Sequence, residues 1–217
     1  MKKKVIFLLV AVAGLTLFLT RCNYDWSTRR ELLTIWNDDQ DLREEWRVLW
    51  EKYGQGSTQV DSIIKVVRQH DSIHLIQVTR ILDEKGWVGK DKVGNLANNC
   101  LFIVIQHSDL KTMQKYLPMM RTAVKEGKTE AQWLALLEDR VALGEGRKQT
   151  YGSQLYYDKK TKTSFVAPLE DPDSVDIRRK SVGLEPIADY LKQWNLEWNA
   201  EEYKKQLPEL EKINPLE

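Results

Sequence analysis

From residue 27 to residue 143, apolar side chains recur at steps of three and four, the spacing that lines one face of an α-helix. A chain patterned this way buries stripes along helices, so a mainly α fold is predicted. The first helix covers residues 27–53, with Thr28 and Glu31 at capping-box spacing and Gly54 past its end. A second runs from Val60 to Lys85 and closes at Gly86, and a third from near Lys92 to His107. The fourth follows a Ser108-Asp109 cap signal from Leu110 toward Gly127, interrupted or restarted at Pro118. A fifth, Glu130 to Leu143, stands behind a Thr129/Gln132 capping box and ends in Gly144-Glu145-Gly146. Tyr151 to Tyr157 and Thr163 to Ala167 carry β-branched and aromatic residues around a polar turn, which predicts a hairpin. Short helices are expected near Ser174–Val182 and from Pro186. The expected architecture is an orthogonal or irregular helical bundle with a small β-hairpin in the C-terminal third. It is read as a single mainly helical domain over residues 23–194, followed by a charged tail over 195–217. At 217 residues the chain is roughly one and a half times a typical ~150-residue domain, consistent with one core plus extensions.

Several polar residues fall on the faces these helices should bury. In the first helix the series Trp36, Asp39, Arg43, Trp46, Trp50, Tyr53 sets a carboxylate and a guanidinium inside an aromatic stripe. In the second, Asp71 and His74 interrupt Val60, Ile64, Val67, Val78 and Ile81. His107 ends the stripe Val93, Ala97, Cys100, Val104, and Asp139 lies between Leu136 and Leu143. A charge buried on such a face costs several kcal/mol unless it is paired and hydrogen-bonded, so these groups are expected to meet in a shared polar cluster. One reading of that cluster is a structural network that fixes helix register. The other is a ligand pocket in which His107, with an ordinary pKa near ~6.5, acts as acid or base beside Asp71, Asp109 or Asp139. His74, His107 and a carboxylate have the composition of a metal site but no spacing that joins them. His70, four residues before His74, lies off the stripe and is expected in solvent. No metal and no cofactor are therefore predicted. The tryptophans at helical spacing, Trp36, Trp46, Trp50 and Trp133, are read as core, and Cys100 as a buried small hydrophobe.

The N-terminus and the composition set the compartment and the excluded partners. Lys2, Lys3 and Lys4 precede an uncharged apolar run from Val5 to Thr20, the pattern of a bacterial export signal. Leu19-Thr20-Arg21-Cys22 resembles a lipobox, so residues 1–22 are read as signal peptide and Cys22 as the lipidated residue of an extracytoplasmic, membrane-anchored lipoprotein. Arg21 is larger than the usual residue before the cysteine, and the alternative is a retained signal anchor facing the periplasm. With Lys+Arg 33 against Asp+Glu 32, the formal charge of +1 leaves no surplus to hold a polyanion, so no nucleic-acid partner is expected. A phosphate-binding glycine loop is absent, because Gly144-Glu145-Gly146 lacks the following glycine. Gly152-Ser153 is not in the turn that a serine nucleophile needs.

The chain resembles the bacterial domain-of-unknown-function family 6624 over about Asp38 to Tyr190. The resemblance is carried by Asp39-Gln40-Asp41-Leu42-Arg43, Gly86-Trp87, Gln106-His107-Ser108-Asp109 with Gln114, and Leu137-Glu138-Asp139-Arg140-Val141. It continues through Gly146 and Gln149-Thr150-Tyr151-Gly152-Ser153-Gln154 to Pro168, Glu170-Asp171-Pro172, Val175-Asp176, Arg178-Arg179 and Val182-Gly183-Leu184. Val88 stands where the family usually has Pro, and His74 where it usually has Asn. The resemblance implies a set of site residues without implying a reaction, and it coincides with the stripe interruptions Asp39, Arg43, His107 and Asp139.

Two functions follow as expectations. In the first, the protein is a hydrolase or transferase acting on a polar small molecule or envelope component. His107 would be the acid or base, Asp139 or Asp109 its orienting carboxylate, and Arg43 or Arg140 an anion clamp. Asp39, Asp71, His74, Gln149, Tyr151 and Gln154 would contact the ligand, with strand alternation setting Gln149 and Tyr151 on one side and Gln154 on the other. In the second, the same pocket serves a non-catalytic binding or envelope-assembly module. Lipidation is directly testable, because acyl chains contribute about 0.8 kcal/mol per buried CH₂. Cys22→Ser should move the protein out of the membrane fraction or leave it as precursor, and the mature wild type should lack residues 1–21 and carry acyl mass. A membrane form that retains its N-terminus and has no acyl mass would instead identify a signal anchor.

Overall fold

The computed structural model describes residues 24–158 and 163–212, so the segment read as an export signal, Cys22 and residues 159–162 lie outside the described residues. The chain divides into two compact units, Met1–Leu101 and Phe102–Glu217. No helix among the described residues is long and apolar enough to cross a membrane.

The first unit is dominated by two helices of 28 residues each, α1 (Trp26–Tyr53) and α2 (Thr58–Lys85), each about 42 Å long at 1.5 Å per residue, which pack against one another. The start of α1 differs from the expected Thr28/Glu31 box. Asp25 is the cap: its carboxylate accepts from the Thr28 backbone N–H at 3.0 Å and the Thr28 hydroxyl at 2.8 Å. Lys85, at the far end of α2, donates to the same carboxylate at 2.8 Å and to the Thr28 hydroxyl oxygen at 2.6 Å. A capping carboxylate that also receives an ammonium outcompetes the predicted Thr28 cap. Lys85 and the Thr28 N–H hold the Asp25 carboxyl well below its ordinary range. Because the folded value is depressed, this cap stabilises the fold above the ordinary carboxylate range and loses that contribution as the pH falls into acid.

On α2 the buried residues are Val60, Ile63, Val67, His74, Val78, Ile81 and Leu82, close to the predicted stripe. On α1 they are Thr28, Leu32, Ile35 and Asp39, while Trp36, Trp46 and Trp50 are half-buried and Tyr53 is exposed. The α1 core face is thus rotated from the aromatic series onto the Leu32–Ile35–Asp39 line, because the smaller aliphatic side chains allow close approach to α2. The predicted third helix is split into α3 (Lys90–Val93) and α4 (Asn95–Gln106) by Gly94, whose φ of +80° ends α3. The division between the two units falls inside α4. Cys100 is fully buried there, and burial raises its thiol far above the ordinary value, as expected of an inert core cysteine.

In the second unit α5 (Leu110–Lys125) continues through Pro118 without a break and packs on α6 (Ala131–Gly144). The Thr129 hydroxyl expected to cap α6 is buried and makes no hydrogen bond, and Glu130 occupies the cap position. A hairpin follows, β1 (Leu155–Asp158) and β2 (Thr163–Val166), antiparallel with Leu155 opposite Val166 and Tyr156 opposite Phe165. A 3₁₀ turn (Pro172–Ser174) leads into α7 (Val175–Ser181), then α8 (Ile187–Lys192) and α9 (Ala200–Leu210). Tyr203 and Leu210 of α9 join Val166, Leu169, Val175, Ile187 and Leu191 in one buried cluster, so part of the expected charged tail is core. The Tyr203 hydroxyl donates to the Ala167 carbonyl at 2.8 Å and ties α9 to the end of β2.

Candidate functional site

Residues 149–154 form an irregular segment of the second unit whose backbone is hydrogen-bonded from two sides. The predicted strand does not begin at Tyr151, because Gly152 adopts φ +68°, outside the strand region, and a Cβ there would lie 2.8 Å from Ile187 Cδ1. Strand alternation therefore does not place these side chains. The segment is a loop whose amides are held by α6: the carboxylate of Asp139, itself fully buried, accepts from the N–H groups of Thr150 at 2.7 Å, Tyr151 at 2.9 Å and Ser153 at 3.0 Å. Burial pushes the Asp139 carboxyl above its ordinary value while these N–H groups pull it down.

The carbonyls of the same loop are held from the other side. Arg178 Nε donates to Thr150 O at 2.7 Å and Arg179 Nη1 to Tyr151 O at 2.8 Å. The Tyr190 hydroxyl donates to Ser153 O at 2.8 Å. Gln149, also fully buried, donates from Nε2 to the carbonyls of Gln154 and Ala167 and accepts the Gln154 N–H at 2.9 Å. Its backbone forms an isolated parallel bridge with Leu169. Arg179 is 1% exposed, donates further to Glu185 O at 2.6 Å and lies over the Tyr190 ring at 5.0 Å. Burial lowers its pKa and raises that of the Tyr190 phenol. The result is a loop whose backbone at residues 150, 151, 153 and 154 is fully hydrogen-bonded, with the side chains of Tyr151 and Gln154 half-buried. The Tyr151 phenol is shifted upward, mainly by burial and then by Glu138 and Asp139, so it remains a neutral donor and acceptor in any physiological medium.

In the first unit the predicted inward pairing of Asp39 and Arg43 is present. Asp39 is 3% exposed, accepts from Arg43 at 3.0 Å and from Gln40 Nε2 at 2.8 Å, and Arg43 reaches across to Asp71 of α2 at 2.7 Å. One guanidinium therefore bridges two carboxylates on two helices. One turn away, His74 Nε2 lies 2.8 Å from Asp38 Oδ2, and His70 Nδ1 lies 2.6 Å from the same oxygen. His70 is not directed into open solvent as predicted. It bends along α2 to reach Asp38, a residue the helical stripe left out because it lies beside the buried line.

The remaining candidates are placed as follows. His107 is half-buried just past the end of α4. Asp109 is exposed and caps α5, its carboxylate accepting the Thr112 N–H at 2.7 Å, which holds it below its ordinary value. Arg140 is half-buried on α6, beside Asp139 in sequence. Asp139 and Gln149 turn inward to backbone groups, whereas Thr150, Tyr151 and Gln154 are half-buried, with Gln154 Nε2 donating to Ser153 Oγ at 3.1 Å. Among the residues the stripe analysis missed are Arg178, Arg179 and Tyr190. The adjacent arginines in a short helix were the available signal, since a buried arginine needs several carbonyls and only an irregular segment offers them.

Removing a carboxylate that holds buried groups should cost far more than removing a surface ion pair. Asp139→Ala, which strands three backbone N–H groups, and Asp39→Ala, which strips Arg43 of one partner, should each lower unfolding free energy by on the order of 3 kcal/mol in urea titrations. Arg47→Ala, which removes the exposed contacts to Glu44 and Glu51, should leave the midpoint within error. Equal effects in all three would contradict the burial argument.

No curated protein and no solved structure matches this chain. A family model matches residues 27–200, which takes in both polar networks and the clamped loop, and its description is a family of unknown function, DUF6624. The chain belongs to that family.

Proposed function

We propose that this protein is an exported, membrane-tethered binding module whose recognition element is the 149–154 loop. The observation that carries the reading is the double clamp: Asp139 on the amides, with Arg178, Arg179, Tyr190 and Gln149 on the carbonyls. Fixing a loop in this way removes in advance the ordering entropy that a flexible loop would lose on binding, which is how pre-organised sites gain affinity. What the loop offers is a neutral phenol and a carboxamide, with Arg178 and Glu138 in the electrostatic environment of Tyr151. That chemistry suits an uncharged or zwitterionic polar ligand, such as a saccharide or muropeptide of the cell envelope. The lysine-led apolar N-terminus and the Leu19–Cys22 segment support placement outside the cytoplasm with a lipid anchor.

The binding reading is favoured over the hydrolase or transferase reading because Asp109 and Asp139, the two carboxylates proposed to orient His107, both accept backbone N–H groups. The test is a thermal-shift series with soluble muropeptides on the wild type, Tyr151→Ala and Gln154→Ala. The wild type should be stabilised by at least one fragment, by an amount that follows RT ln(1 + [L]/Kd), while the variants keep their ligand-free Tm and lose the shift. A shift that survives both substitutions would remove the loop from the site. Turnover of a fragment that disappears in His107→Ala would restore the catalytic reading.

A further inference from the structure

We propose that Asp38, His70 and His74 form a binding site for a single first-row divalent transition ion of the zinc type. This inference is independent of the role proposed for the 149–154 loop. The three donors come from two packed helices of one unit: Asp38 from α1, and His70 and His74 from α2, where a spacing of four residues puts both imidazoles on one side. Their ligand atoms all lie within 4.8 Å of one another, and the two rings are 5.9 Å apart at 79° to each other. Two imidazoles and one carboxylate are the donor set of three-ligand zinc sites and of facial-triad sites, which keep at least one coordination position for water or a ligand.

Three features of the surroundings point to a cation. His74 is 5% exposed, so its ring is held in place by packing before anything binds, whereas Asp38 and His70 are more than a third exposed and leave a way in. Among the described residues the partners of the Asp38 carboxylate are these two imidazoles; no lysine or arginine pairs with it. The nearby cation is engaged elsewhere, since Arg43 bridges Asp39 and Asp71. Asp38 is thus a partly buried carboxylate compensated by no fixed positive charge, and two nitrogens converge on one of its oxygens. A divalent ion among these three atoms would take the imidazole lone pairs and the carboxylate charge together, at the cost of a small separation of groups that already lie 2.6 and 2.8 Å apart.

The chain contains three histidines, which makes the assignment easy to test. Full-length protein in detergent, stripped with EDTA and dialysed, is titrated with Zn²⁺ by calorimetry and with Co²⁺ by visible absorption. One equivalent should bind, the Co²⁺ form should show d–d bands of nitrogen and oxygen ligation, and Zn²⁺ should raise Tm. His70→Gln and Asp38→Asn alter half-exposed side chains and should keep the ligand-free urea midpoint while weakening binding by on the order of tenfold or more. His74→Asn should do the same, with far-UV circular dichroism reporting that the helices persist. Absence of saturable binding at 100 μM metal, affinity unchanged in His70→Gln and Asp38→Asn, or loss of binding in His107→Ala with retention in His70→Gln would each overturn the proposal.

Discussion

A carboxylate sealed from water has to be met by hydrogen-bond donors, and Asp139 is met by the backbone of a loop. That exchange sets the form of the second unit. Because the amides of Thr150, Tyr151 and Ser153 turn toward α6, their carbonyls turn away from it, and those carbonyls in turn require donors. Arg178 and Arg179 supply two and Tyr190 the third, which draws α7 and α8 onto the loop. Gly152 allows the turn that makes this possible, at a position where a side chain would strike Ile187. The buried cluster of Leu169, Val175, Ile187 and Leu191 then closes beneath it. Gln149 performs a related task from within the loop, joining residue 154 and the end of β2 through a fully buried carboxamide.

The first unit solves a comparable problem between two long helices. An α1 core built from Leu32 and Ile35 would run on past Asp39, and the carboxylate there is compensated by Arg43, which is shared with Asp71 of α2. Such an arrangement fixes the register of one helix against the other, since a shift by one turn would part Arg43 from the half-buried Asp71 carboxylate. Beside this network the pair of histidines and Asp38 make a second, more open polar group. The two differ in kind: one is an ion pair network with its own guanidinium, the other a carboxylate facing two imidazoles.

Helical periodicity alone made the class of fold legible, together with most boundaries and the polar positions on buried faces. Asp39, His74 and Asp139 are all buried where the stripes placed them, and Arg43 pairs inward. The errors came from interactions that link residues distant in sequence. Asp25 caps α1 instead of Thr28 because Lys85, sixty positions away, contributes its ammonium. Alternation misread residues 151–154 as strand because a glycine in left-handed geometry and a carboxylate from a preceding helix override local β propensity. Arg179, a fully buried side chain and the largest such among the described residues, carried no periodic signal, since its burial depends on carbonyls exposed by an irregular loop. Asp38 was passed over and His70 was placed in solvent for a geometric reason: each lies beside the buried line of its helix, and they meet because both long helices bring the edges of their core faces together.

The most direct test of the central claim is native-state hydrogen exchange of the wild-type amides at residues 150, 151 and 153. If Asp139 holds them as described, these three loop amides should exchange with protection approaching that of the α6 core, far slower than loop amides in general, and they should open together. Rapid, independent exchange of the three at rates typical of an exposed loop would contradict the clamp and the recognition role built on it.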